Sequence, residues 1–157
     1  MSHPAMANQA IILLAEDNED DVVLMKRALS RAGLSNPVHV VSDGHEAVEY
    51  LKGAIEAKSS GCQIPLLICL DINMPVLSGF EVLGWIREQP NLKDVPVVIV
   101  SQSDNRPDIN RASHLGANSY LVKPANFDGL VNMMATMKQM LGTLEKQIEP
   151  ATTTNAE

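Results

Sequence analysis

Basic charge is scarce in this chain: twelve Lys and Arg stand against nineteen Asp and Glu in 157 residues, for a formal net charge of −7. A protein of that sign offers no cationic surface to a phosphate backbone, which argues against a self-sufficient nucleic-acid binder. Long apolar runs are missing as well. Runs such as Pro65–Leu70 and Val95–Val100 are among the longest; they are strand-length, far short of the ~20 residues that span a bilayer, so no membrane insertion is expected. Met1–Ala10 has no positive region followed by an apolar stretch and does not read as a secretory leader. Cysteine is limited to Cys62 and Cys69, which lack zinc-ligand spacing and companions, so two reduced thiols in a cytoplasm are expected. No internal repeat is visible. The length suits one compact domain able to bury a core.

What is present is an alternation. Ala10–Ala15, Val38–Val41, Leu66–Leu70, Val97–Ser101 and Ser119–Val122 are expected strands. Three of them are apolar at nearly every residue, as parallel strands covered on both faces are. Helices are expected over Asp20–Ala32, Gly44–Lys52, Gly79–Glu88, Pro107–Leu115 and Phe127–Leu141. In the first, Val23, Leu24 and Ala28 mark an apolar stripe, and Arg27 and Arg31 a basic one. In the last, Leu130, Met134, Met137 and Leu141 share a face that excludes Lys138 and Gln139, and the methionines read as core filler rather than a partner groove. Gly33, Gly53, Pro90 and Gly116 end the first four helices, while Asp104 or Asn105 followed by Pro107 starts the fourth. Glu19, Asp20 and Asp21 read as caps and dipole partners of the first helix. Lys58–Gln63 is a loop longer than a tight connection needs. Strict alternation of strand and helix implies right-handed crossovers and a three-layer α/β sandwich.

In an open parallel sheet, ligands gather at the carboxyl ends of the strands. The first strand ends in Glu16-Asp17-Asn18-Glu19-Asp20-Asp21, the third in Asp71, the fourth in Ser101, and the fifth runs into Lys123-Pro124. Five carboxylates in six residues would repel a nucleotide phosphate, where a phosphate-binding turn would be Gly-rich. Oxygen-rich acidic sites instead attract a hard divalent cation such as Mg²⁺, held by one or two carboxylates with water and phosphate oxygens. Glu16, Asp17 and Asp71 fit that description. Asp71 closes the apolar run Leu66–Leu70, and a carboxylate in that position has either a partner or a job. Beside a cation it stays ionised and can attack phosphorus. Asn73 can offer a backbone carbonyl to the metal, Ser101 a hydroxyl and Lys123 a positive charge to a phosphoryl group. Phosphoryl transfer asks for little more than such electrostatic stabilisation. His39, His45 and His114 lie away from this edge, and Trp85 reads as a packing residue.

Across Ile11–Leu141 the chain resembles the receiver domains of two-component response regulators. The resemblance rests on Leu13-Leu14-Ala15-Glu16-Asp17-Asn18, Leu70-Asp71-Ile72-Asn73-Met74-Pro75, Gly79, Val97-Val98-Ile99-Val100-Ser101, Gly116-Ala117 and Tyr120-Leu121-Val122-Lys123-Pro124. It implies a flavodoxin-like five-stranded parallel sheet in the order 2-1-3-4-5, spanning residues 10–141 between a tail at 1–9 and a helix end and polar tail at 142–157. It implies Asp71 as phosphoacceptor, Asp17 as direct Mg²⁺ ligand, Glu16 acting through a metal-bound water, Ser101 as switch hydroxyl, Lys123 as the phosphoryl-contacting lysine and Tyr120 as switch aromatic. A sensor histidine kinase or a histidine phosphotransfer protein would be the partner. The added charge would then repack the face of the fourth helix, fifth strand and fifth helix. The segment before the third strand and Ser113–Tyr120 look most like stand-alone receivers paired with phytochrome-type sensor kinases, some of which dimerise. Output would pass through protein contacts or onward phosphate relay.

One departure from that family stands out. Gln102 follows the switch hydroxyl where the family usually carries a small residue, and it is expected to restrict access to the phosphoryl group. Ser103 and Asn73 flank the path of an attacking water and are the other residues expected to set phosphoryl lifetime. Three rivals are weaker. A haloacid-dehalogenase-like phosphatase needs an acid/base Asp where Asn73 stands. A flavodoxin-like electron carrier conflicts with the acidic first turn. A pseudo-receiver conflicts with the joint presence of Asp17, Asp71, Ser101 and Lys123. A signalling domain rather than an enzyme is expected.

Overall fold

The structure, a computed structural model, describes residues 10–56 and 63–148, with side chains to residue 142. In chain order the elements are β1 (Ile12–Ala15), α1 (Glu19–Arg31), β2 (Val38–Val41), α2 (Gly44–Glu56), β3 (Leu67–Leu70), α3 (Gly79–Glu88), β4 (Val97–Ser101), α4 (Arg106–Leu115), β5 (Ser119–Val122) and α5 (Phe127–Ile148). The strands form one parallel sheet in the order β2-β1-β3-β4-β5, the order that the resemblance implied.

The three central strands, β1, β3 and β4, are buried at every position, and their period of two sorts them into two cores. Leu13, Ala15, Ile68, Leu70, Val97 and Ile99 face α2, α3 and α4, where Leu51, Phe80, Leu83, Ile86 and Ala112 meet them. Ile12, Leu14, Leu67, Cys69, Val98 and Val100 face α1 and α5, against Met25, Leu29, Leu130, Met134 and Met137. Both faces are covered, which is why these strands read as apolar runs without alternation. The methionines of α5 are core filler as expected. Trp85 is half-buried against the first of these cores.

The helix ends are chemically marked. Asn18 caps α1 by accepting from Asp21 N–H, Asn105 caps α4 by accepting from Asp108 N–H, and Ser78 and Glu81 form a reciprocal capping box on α3. Gly116 ends α4 at φ 101°, a left-handed position that glycine takes without strain. Three expectations need correction. Gly53 does not end the second helix: α2 continues to Glu56, because an isolated glycine within a helix costs only about 1 kcal/mol. Val23 and Leu24 are exposed at 51% and 39%, and the buried face of α1 is Met25, Ala28 and Leu29 instead. The cap of α1 is Asn18 rather than the acidic residues that follow it. Helix α5 runs past Leu141 to Ile148, in keeping with a helix end beyond residue 141. Cys69 is fully buried, with its thiol pushed up to about 12 by that burial, so it is inert. Cys62 and most of the expected loop over Lys58–Gln63 lie outside the described residues.

Between β3 and α3 the chain makes a tight turn in which Leu77 N–H donates to the Pro75 carbonyl at 2.8 Å and Val76 sits at φ 70°. A β-branched residue there is strained, as is a three-residue turn of this hand. Val76 is 73% exposed, so its side chain gains little packing in return. Val76→Gly is expected to stabilise the fold by about 1 kcal/mol, the relief of strain less the extra freedom of the unfolded chain. A urea titration should show a higher midpoint at unchanged slope.

Candidate functional site

The candidate site residues are set by the sheet itself. Each of three stands one position beyond its strand, yet its backbone still bonds to the neighbouring strand. Glu16 N–H donates to Val41 O at 3.0 Å, Asp71 N–H to Ala15 O at 3.2 Å and Lys123 N–H to Ser101 O at 2.8 Å. The ladder therefore aims these side chains at the carboxyl edge from positions as fixed as the core. Among the described residues they converge on an open cavity of about 190 Å³ lined by Glu16, Asp17, Asn18, Asp21, Asp71, Asn73, Gln102 and Lys123.

Lys123 is the hub. Its Nζ lies 2.6 Å from Glu16 Oε1, 3.1 Å from Asp21 Oδ2 and 3.2 Å from Asp71 Oδ2. The second oxygen of Asp71 accepts Asn73 N–H at 3.1 Å, and that of Glu16 accepts Asn18 N–H at 3.2 Å. Glu16 and Asp71 are only 3% and 8% exposed. Burial pushes the Glu16 carboxyl up to about 7; the charge of Asp71 adds to this, while Lys123 and Asn18 N–H oppose it. Burial also works against the Lys123 ammonium, but hydrogen bonds and charge from Glu16, Asp71 and Asp21 outweigh it and hold the amine above the ordinary lysine range.

Glu16, Asp17 and Asp71 can each present one oxygen with all three within 4.8 Å of one another. An all-carboxylate set of this kind suits a hard divalent cation. Asp17 is exposed, and among the described residues its carboxylate takes no hydrogen bond or ion pair, so one corner of the set faces the cavity unengaged. Asn73 lines the same cavity.

Ser101, Ser103 and Tyr120 form a second group that does not line this cavity. Ser101 is completely buried, and its Oγ accepts Ser103 N–H at 3.1 Å. Tyr120, half-buried on β5, donates its hydroxyl to the Ser103 carbonyl at 2.8 Å. Gln102 lies at the cavity wall. The sequence-predicted residues thus fall into two adjoining clusters, joined by the backbone at Ser101.

Residues 12–135 match the family model described as "Response regulator receiver domain". The chain belongs to that family. Receivers are signalling domains of two-component systems rather than enzymes of the ordinary kind, and this chain carries one. It is 35% identical to the response regulator Rcp1 of Synechocystis sp. over 79% of this chain and 83% of that protein. It is 34% identical to the "Probable methanogenesis regulatory protein FilR2" of Methanothrix harundinacea, over 82% of this chain and 81% of the other. Among solved structures, the phosphorylated cyanobacterial phytochrome response regulator RcpA superposes with a TM-score of 0.76 at 36% identity, covering 85% of this chain and 94% of that one. The Mn²⁺-bound form of Rcp1 gives a TM-score of 0.72 at 33% identity, covering 82% and 90%. The fold and the acidic cluster of this receiver accord with those likenesses.

Two residues of the receiver's site were not expected. Asp21 does not merely complement the helix dipole: with Asn18 as the cap, its carboxylate turns back to Lys123. Asp108, on the first turn of α4, accepts the Ser103 hydroxyl at 2.6 Å. Asp21 had a faint signal, being three residues past an Asn cap. Asp108 had none, since its partner is identified only once the turn after β4 is folded.

Proposed function

We propose that this receiver accepts a phosphoryl group on Asp71 from a phosphohistidine of a sensor kinase, of phytochrome type, or of a histidine phosphotransfer protein, and signals through the α4–β5–α5 face. One observation carries the reading: the buried Asp71 carboxylate is held between the Lys123 ammonium and Asn73 N–H at the floor of an open acidic cavity. In the reaction an Asp71 oxygen attacks phosphorus, the P–N bond of the phosphohistidine breaks and its electron pair stays on the imidazole, leaving an acyl phosphate. Lys123 follows the charge as it moves onto the new group, and Ser101 turns from Ser103 toward it. Asp17, Asp71, the Asn73 carbonyl and, through water, Glu16 would hold Mg²⁺, which supplies charge neutralisation to the phosphoryl oxygens when bound. The Mn²⁺-bound relative and the donor set support a divalent ion there. The likeness to phytochrome response regulators supports the kinase class. Readout proceeds by contacts with other proteins, a second copy among them, or by onward relay, in a cytoplasmic setting without nucleic acid.

Incubation with a phosphorylated histidine kinase followed by borohydride trapping tests this: reduction of an acyl phosphate leaves homoserine, expected at position 71. Label that maps elsewhere, or none from any donor, would overturn the reading. Gln102→Ala is expected to speed uptake from small donors such as acetyl phosphate and to speed hydrolysis. Equal rates in the two proteins would remove Gln102, and leave Asn73 and Ser103, as residues setting the lifetime.

A further inference from the structure

We propose that Asp108 is the positioning residue that carries the state of Asp71 to α4, acting through Ser103; this rests on Asp71 being the phosphoacceptor. Ser103 spends each of its polar groups on a different element. Its N–H donates to Ser101 Oγ at 3.1 Å, its carbonyl accepts Tyr120 OH at 2.8 Å, and its hydroxyl donates to Asp108 Oδ2 at 2.6 Å. The end of β4, the face of β5 and the first turn of α4 therefore meet on one residue.

Ser101 Oγ cannot turn toward a phosphoryl group without leaving Ser103 N–H unpaired in half-buried surroundings, which is unfavourable. The turn must follow, and the carbonyl and hydroxyl of Ser103 move with it. A short hydrogen bond to a charged carboxylate is the stronger kind, so movement of Ser103 is passed to Asp108 instead of being absorbed. The carboxylate is not needed as a cap, because α4 already has Asn105, which accepts Asp108 N–H at 2.9 Å, and Pro107 in its first turn requires no acceptor. Its hydrogen bond points out of the helix, to the turn that Ser101 controls.

The test compares amide hydrogen exchange across residues 106–111 with and without a phosphoryl group on Asp71, supplied by acetyl phosphate and Mg²⁺. The wild type is expected to respond. In Asp108→Ala, Asp71 should take up label while the response of α4 falls by about fivefold or more, and in Ser103→Ala the response should fall as far when compared at equal occupancy of Asp71. Ser103→Thr, which keeps the hydroxyl, should restore it. Asn105→Ala separates coupling from simple loosening, since it removes the cap and raises baseline exchange but should keep the phosphorylation-dependent change. A full response in Asp108→Ala or Ser103→Ala would overturn the proposal, as would a response lost equally in Asn105→Ala. A labelled wild type with no response at α4 also overturns it. A wild type that takes no more label than Asp71→Asn fails at the earlier step and takes the phosphoacceptor reading down with it.

Discussion

Lys123→Met is expected to destabilise the metal-free protein by about 3–5 kcal/mol near neutral pH, the cost of leaving buried charges without their partner. Methionine keeps the stem and removes the ammonium. Glu16 and Asp71, both nearly enclosed, then face each other with no cation between them. The loss should depend on pH, and its sign follows from Glu16. With Lys123 present its carboxyl already stands at about 7, against an ordinary 4.5, and Lys123 is among the groups holding it down. Without the lysine it rises further. A carboxyl raised in the folded state contributes its stability below the unfolded value and loses it as pH climbs through the folded value. The variant should therefore be least handicapped near pH 5 and most handicapped near pH 8. Urea unfolding in a chelator at both ends measures this; an equal loss at both would mean that Glu16 is not where the missing charge is felt. Labelling of Asp71 should fall by about a hundredfold in conditions where the variant is folded, the scale for removing one aimed electrostatic donor.

The same lysine shows what could be read from the chain and what could not. Its place at the end of β5, like those of Glu16 and Asp71 at the ends of β1 and β3, was legible because a parallel sheet brings every strand's carboxyl end to one edge. Five apolar runs sufficed to find that edge. The doubly covered strands carried the signal best, as they have no exposed face to dilute it. The phase of α1 was harder to read, because Val23-Leu24-Met25 is apolar at three consecutive positions and only packing against α5 decides that Met25 turns inward. Gly53 misled for the opposite reason: a weak helix breaker is overruled by Leu51 and Ala54, which the sheet buries. Asp21 and Asp108 belong to the site through partners in folded neighbours, Lys123 across the sheet edge and Ser103 in the turn after β4, and local spacing carries no trace of such pairings. The metal-type carboxylates were legible as composition; the hydrogen bonds that join the cavity to α4 were not.

Gly79→Ala should be nearly as damaging as loss of the lysine, although the residue bears no chemistry. Gly79 opens α3, and its N–H donates to Ile72 O at 2.9 Å. A Cβ added there would lie 2.2 Å from the Asp71 carbonyl oxygen, 2.9 Å from its carbon and 3.0 Å from Ile72 Cα. All three are backbone atoms, so no side chain can rotate away. The Asp71 backbone cannot yield freely either, since its N–H is the last rung to β1, at 3.2 Å from Ala15 O. Overpacking against such a neighbour is expected to cost about 3 kcal/mol, the upper part of the usual range. The displacement that relieves it falls on Asp71, the proposed phosphoacceptor. A shift of about 1 Å in a reacting group costs on the order of a hundredfold in rate, so labelling of Asp71 should drop by that much even where the variant remains folded. Stability and labelling measured on one preparation separate the two effects. A Gly79→Ala protein that unfolds at the wild-type urea concentration and labels at the wild-type rate would show that the loop after β3 gives way without moving Asp71, and that the close approach of α3 to this strand end does not position the carboxylate.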